Sequence, residues 1–113
     1  MSVIITAKVR GDTDKFRRAL TERAAEFAQI AERARGGAGA LHHRFGIGEG
    51  YVLIVDEWES ADQFQQFFGD PSLQEFVAAV GGDTSTPREI TVCEAIESPD
   101  QILTSGHPGV TRR

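Results

Sequence analysis

The run ALHHRFGIGEGYVLIVDEWES, residues 40–60, places His42 beside His43 and ends with Asp56, Glu57 and Trp58. Imidazole and carboxylate side chains are the usual metal ligands and the usual proton carriers near neutral pH. Strand geometry narrows the choice. Successive strand side chains point to opposite faces, so adjacent histidines cannot chelate one ion together. A strand metal site wants His-x-His, and here Glu94 or Asp56 would have to be recruited from other strands. His42-His43 is therefore not a metal motif, and no metal is expected. Leu41, His43 and Phe45 share one face, and His42 and Arg44 the other. Two readings of His43 stand open: a structural histidine hydrogen-bonded inside the fold, or a base or hydrogen-bond partner in a pocket. His42 is expected at solvent or at a dimer seam.

The other candidates divide in the same way. Trp58 either packs a helix onto the sheet or walls a ligand pocket. Phe64, Phe67, Phe68 and Phe76 recur at helical spacings and read as core, yet as a group they also suit an apolar cavity for a flat ligand. Asp56 and Glu57 are neighbours on a strand and point apart, so they are not a paired-carboxylate site. GIGEG (Gly46–Gly50) joins strand to strand, whereas a phosphate loop must open a helix. Cys93, the single cysteine, excludes an intrachain disulfide and a cysteine-rich zinc site. Its neighbours Val92 and Ala95 predict a small buried strand residue.

Positioning these residues takes six elements. Ser2–Val9 is β-branched and reads as a first strand. Asp12 or Thr13 caps a helix whose stripe is Phe16, Leu20, Ala24, Phe27, Ala31 and Ala34, and Gly36-Gly37 stops it. Leu41–Phe45 and Tyr51–Trp58 are two strands around the GIGEG loop. Ser60 opens a capping box with Gln63, and Asp70-Pro71 starts a second helical piece that ends at Gly81-Gly82. Arg88–Glu97 is the fourth strand. The order is βαββαβ, an α+β ferredoxin-like fold with a four-stranded antiparallel sheet, strands one and three central. Residues 1–97 form one domain and residues 98–113 a polar tail. Helices on one sheet face leave Ile4, Leu53 or Ile54, and Ile90 or Val92 to cover, which predicts a homodimer packed sheet to sheet.

Composition sets outer bounds. The chain has 113 residues, 40% hydrophobic and 26% charged, with net charge −5 and pI near 5.1. That is one soluble-type domain, and its acidity argues against a nucleic-acid partner. Basic residues crowd the first half; they either meet water or face acidic surface across a dimer. No apolar run approaches the roughly 20 residues of a membrane span. The N-terminus enters a strand-like run without a signal-peptide pattern, so a cytoplasmic location is expected.

The opening VIITAKV, the LHHRF–GIGEG–YVLIVDEWES hairpin and the following ADQFQQFFGDPSLQEF resemble the antibiotic biosynthesis monooxygenase (ABM)-type domains of the dimeric α/β barrel superfamily. The resemblance covers roughly residues 3–97. It implies a homodimer paired through its sheets and oxidation of small aromatic or quinol-like compounds by molecular oxygen, with no flavin or metal cofactor. A related branch degrades haem. Its asparagine, tryptophan and histidine fall here on Thr6, Phe67 and Phe76, so the axial ligand is missing and haem degradation is not expected. The asparagine and tryptophan of the aromatic-oxidising members fall on Gln63 and Phe67, and this chain contains no asparagine.

The resemblance therefore implies a cofactor-independent monooxygenase. His43 is its expected base or anion partner, Gln63 and Thr6 orient the substrate, and Trp58, Phe64, Phe67 and Phe76 wall the cavity. The rival expectation is a non-catalytic dimeric small-molecule-binding or accessory protein on the same scaffold.

Overall fold

In the computed structural model, which describes residues 1–102, one antiparallel sheet carries the helices on a single face. The strands are β1 (Val3–Arg10), β2 (Ala40–Gly48), β3 (Tyr51–Trp58) and β4 (Glu89–Glu94), in the order β2-β3-β1-β4. The helices are α1 (Thr13–Glu22), α2 (Ala24–Arg33), α3 (Ala61–Phe68) and α4 (Pro71–Ala79). Strands one and three are central, as the continuous apolar runs require. Of the polar tail expected at 98–113, residues 103–113 lie outside the described part.

Three of the four helix starts have a side-chain cap, and α2, which follows Arg23, has none. Asp12 accepts the Lys15 backbone N–H at 3.0 Å and caps α1. Ser60 accepts the Gln63 N–H at 3.2 Å and caps α3. Asp70 accepts the Ser72 N–H at 2.9 Å, with Pro71 filling the first position of α4. These contacts satisfy amide donors that a helix start leaves unpaired.

The long first helix expected from the stripe breaks at Arg23, where φ −119° and ψ 32° leave the helical region. Arg23 clamps Glu26 with two hydrogen bonds of 2.6 and 3.0 Å and lays its guanidinium over the Phe76 ring, 5.0 Å from the centroid. The bend re-aims Phe27 edge-on to both Phe45 and Phe76. Whereas α1 buries Phe16 and Ala19, α2 buries none of its residues. After α2 the chain makes one wide turn, Ala34–Ala38. Gly39 then takes φ 110°, against the side chain of Gln63.

The hairpin is tighter than the GIGEG pattern suggests. β2 runs on to Gly48, and only Glu49 and Gly50 turn the chain, with Gly50 at φ 80°. β4 is shorter than Arg88–Glu97. Pairing of Ile5 with Val92 and of Ala7 with Ile90 puts Ile90 and Val92 on the helical side of β4, beyond the reach of the helices, at 45% and 41% exposure. Ile4 and Val55 face outward on the bare side of the sheet. Cys93 pairs with Ile4 and shares that outward face, so it is exposed, not buried as expected.

Two packed clusters stand in the inner layer. One joins Ile5, Trp58 and Phe64 and draws in Phe67 and Phe68; the other joins Phe16, Ala19 and Val80 and draws in Phe27, Phe45 and Phe76.

Candidate functional site

Between the inner face of the sheet and the helices lies a chamber of about 490 Å³, within the range of small-molecule sites. Its walls are overwhelmingly apolar: Phe16 and Leu20 from α1, Phe27, Ile30 and Ala31 from α2, and Phe64, Phe67, Phe68 and Phe76 from the last two helices. This explains why α2 buries nothing. Its apolar residues face empty space where a packed core would otherwise stand.

Besides Arg10 and His42, a hydrogen-bonded polar constellation reaches the chamber from the sheet. β2 and β3 pair His43 with Asp56 and Phe45 with Ile54, so these four side chains share the inner face. A bulge between Ala40 and His42 inserts Leu41 as an extra residue, which removes it from the His43 row. Nδ1 of His43 stands 2.6 Å from Oδ1 of Asp56. The other carboxylate oxygen accepts the indole N–H of Trp58 at 2.9 Å. Asp56 is 7% exposed and Trp58 2%. The His43 ring sits edge-on to Phe45, with centroids 4.6 Å apart.

Chemistry assigns the protons. A carboxylate only accepts, so with Asp56 ionised the His43 Nδ1 carries hydrogen. Nε2 of neutral His43 then bears the lone pair and is the nitrogen left to act as a base. Asp56 holds the ring orientation and the tautomer, and its charge compensates an imidazolium formed by proton uptake. Arrangements of this kind underlie base catalysis on unrelated folds. Trp58 completes the set by occupying the second oxygen, which fixes the carboxylate in place. The chain His43–Asp56–Trp58 thereby links the two aromatic clusters, Phe45 at one end and Phe64 with Phe67 at the other.

The residues expected at the site separate into two groups. His43, Trp58, Phe64, Phe67 and Phe76 all line the chamber. Thr6 does not. It pairs with Val55 and Thr91 on the outer face, one step out of phase with Ile5 and Ala7, so strand alternation turns it away. Gln63 is also absent from the walls. Its Oε1 accepts the Ser60 hydroxyl at 2.7 Å and its Nε2 reaches Glu59 at 3.2 Å, so the side chain is used in starting α3. His42 is exposed and also belongs to the chamber's lining, and the His43 side chain is itself 43% exposed.

Asp56 was missed as a site residue. Weighed as half of a carboxylate pair with Glu57 and as a metal ligand recruited to the histidines, it was set aside both times; its partners lie across the hairpin and two residues along the strand. Among the described residues, no three of His, Cys, Asp or Glu gather as a metal-ligand set. Nor is any helix among them long and apolar enough to cross a membrane.

No family model matches the chain, and no curated protein matches it. Solved structures do. Rv0793 from Mycobacterium tuberculosis is 20% identical, with a TM-score of 0.56 over 88% of this chain and 99% of its own. SnoaB, a cofactor-independent oxygenase from Streptomyces nogalater, is 14% identical, with a TM-score of 0.57 over 88% of this chain and 98% of its own. A protein described as an antibiotic biosynthesis monooxygenase is 10% identical, with a TM-score of 0.57 over 84% of this chain and 99% of its own. At these identities the likeness establishes a shared fold, the α+β ferredoxin-like fold of ABM-type domains.

Proposed function

We propose that the chamber binds a small aromatic or quinol-like substrate, and that His43, oriented by Asp56, removes the proton that makes the substrate reactive toward molecular oxygen. The observation that carries this reading is the Nδ1–carboxylate contact of 2.6 Å at the wall of an apolar chamber. The fold shared with a cofactor-independent oxygenase is in keeping with it.

A hydroxyarene in its keto form has a ring CH₂ conjugated to a carbonyl. Nε2 of His43 takes one of those protons, leaving a delocalised enolate that apolar walls shield from water. The enolate gives an electron to oxygen, the resulting radical pair joins as a peroxide anion on the same carbon, and the His43 imidazolium returns its proton to give the hydroperoxide. Loss of water then leaves a second carbonyl. One oxygen atom ends in the product and one in water, and all four electrons come from the substrate. The protein supplies the base and the apolar walls; Asp56 is a positioning residue.

Pairing of two copies through the sheet belongs to the same proposal. Its support is the bare outer face, where Ile4 and Val55 are 43% and 40% exposed, and the size of interface that a four-stranded sheet can offer.

A second reading, a binding protein without catalysis, draws on the placement of Thr6 and Gln63 away from the chamber. Without them, substrate orientation falls to the aromatic walls and His43. Oxygen uptake with 1-naphthol separates the two readings. Catalysis predicts protein-dependent uptake, formation of 1,4-naphthoquinone with one labelled atom from ¹⁸O₂, and a loss of about 100-fold or more in His43→Ala. Saturable binding of 1-naphthol with uptake no faster than in buffer would favour the binding protein.

A further inference from the structure

Arg88, just before β4, has two guanidinium nitrogens, Nε and Nη2, that are shut off from solvent and have no hydrogen-bond partner among the described residues. These nitrogens form the edge of the guanidinium that meets both oxygens of a carboxylate. Arg23 uses the same pair on Glu26, at 2.6 and 3.0 Å. Buried polar groups are normally paired, and leaving such donors unpaired is unfavourable. Arg88 is thus a fork without its anion.

The surroundings indicate what kind of anion fits. The Arg88 guanidinium carbon lies 5.8 Å from the ring centroid of Phe68, and Phe68 is a wall of the chamber. Ile90 and Val92 continue from it along the helical side of β4, both partly exposed. A cation beside an aromatic wall and an apolar strip suits a ligand with a flat ring and an acid group. We infer that Arg88 is the carboxylate-binding residue of the chamber, and that the ligand class is an aromatic carboxylic acid with its ring among the phenylalanines and its carboxylate on Nε and Nη2. The Arg88 fork stands beside Phe68 and outside the chamber's lining; its long flexible stem lets it turn toward the ligand, and the unpaired donors favour that turn once a carboxylate is within reach. The inference rests on the chamber's taking an aromatic ring, not on what His43 does to it.

Calorimetric titration of the full chain with 2-naphthoate, 2-naphthamide and acetate tests it, in wild type, Arg88→Met and Arg88→Lys. The expected result is binding of naphthoate about 10-fold or more tighter than the amide in wild type. Arg88→Met should bind the two alike, Arg88→Lys should keep part of the preference, and acetate should bind to none measurably. Thermal melting provides the folding control: ligand-free Arg88→Met should melt at or above the wild-type temperature, because it loses an unpaired charge and not an ion pair. Equal binding of naphthoate and amide to wild type overturns the inference and leaves the chamber standing. Binding of neither overturns both. A sharply lower melting temperature for Arg88→Met, or a changed oligomeric state without any naphthoate preference, also overturns it, since the fork's partner would then be part of the protein or of a second copy.

Discussion

Asp56 and His43 face each other across the β2–β3 hairpin, with 2.6 Å between carboxylate and imidazole. The tight turn at Glu49-Gly50 sets this register. One residue more or less in the turn would send one of the two side chains to the outer face. The contact is therefore a property of the hairpin, and a change in the turn six residues away from either partner would abolish it as surely as a substitution.

Removing the Asp56 carboxylate leaves the Trp58 indole N–H buried without an acceptor and the His43 ring without its guide. Asp56→Ala should lower unfolding free energy by about 1–3 kcal/mol in chemical denaturation. Asp56→Asn keeps one acceptor oxygen and should lose less. In both, the imidazole ¹⁵N resonances of His43 should move away from the Nδ1–H tautomer. Unchanged resonances would mean that Asp56 does not select the tautomer.

Ser60 and Gln63 form the start of α3 and stand outside the chamber. Ser60→Ala should cost about 1 kcal/mol of stability. Gln63→Ala should leave turnover and ligand affinity within about twofold of wild type, because nothing it touches faces the ligand. A large activity loss with intact stability would return Gln63 to the site.

The chamber can be filled from α2. Ala31 lines it without being buried, so Ala31→Phe can place a ring in free space. Melting temperature should change little, while affinity for 1-naphthol falls about tenfold or more. If affinity is untouched, the ligand binds elsewhere.

Asp70 offers a pH test of the caps. Hydrogen bonds from the Ser72 backbone N–H and then from its hydroxyl hold the Asp70 carboxyl below the ordinary value of 3.8. A carboxyl lowered in the folded state adds stability that is complete above its unfolded value and is lost as pH falls through its folded value. Asp70→Asn keeps an acceptor but cannot titrate. Its melting temperature should fall less steeply than that of wild type between about pH 5 and about pH 2. Parallel curves would remove Asp70 from the acid response.

The sequence carried the fold well and the site in part. Apolar runs in VIITA and YVLIV identified the central strands, and the Ser60 and Asp70 caps located α3 and α4, because these signals are local. His43 and Trp58 stood out by residue type, and the helix-face phenylalanines by spacing. Thr6 and Gln63 came from analogy with other chains; alternation turned the first outward, and the second was absorbed by its own cap. Asp56 stayed hidden because its role depends on hairpin register, which depends on a turn of two residues inside a glycine-rich stretch that reads equally well as five. Leu41 shows the same limit: a bulge shifts a strand's phase, and a run such as ALHHRF does not reveal it. The break at Arg23 depends on contacts with α4 and was equally out of view.

Exchange of the ring CH₂ protons of 2-tetralone, followed by proton NMR in D₂O without oxygen, isolates the step assigned to His43. The account predicts saturable, protein-dependent exchange that slows about 100-fold or more in His43→Ala while 2-tetralone still binds. Equal exchange rates in the wild-type protein and His43→Ala would contradict it, because the chamber would then hold the ring without a base to act on it.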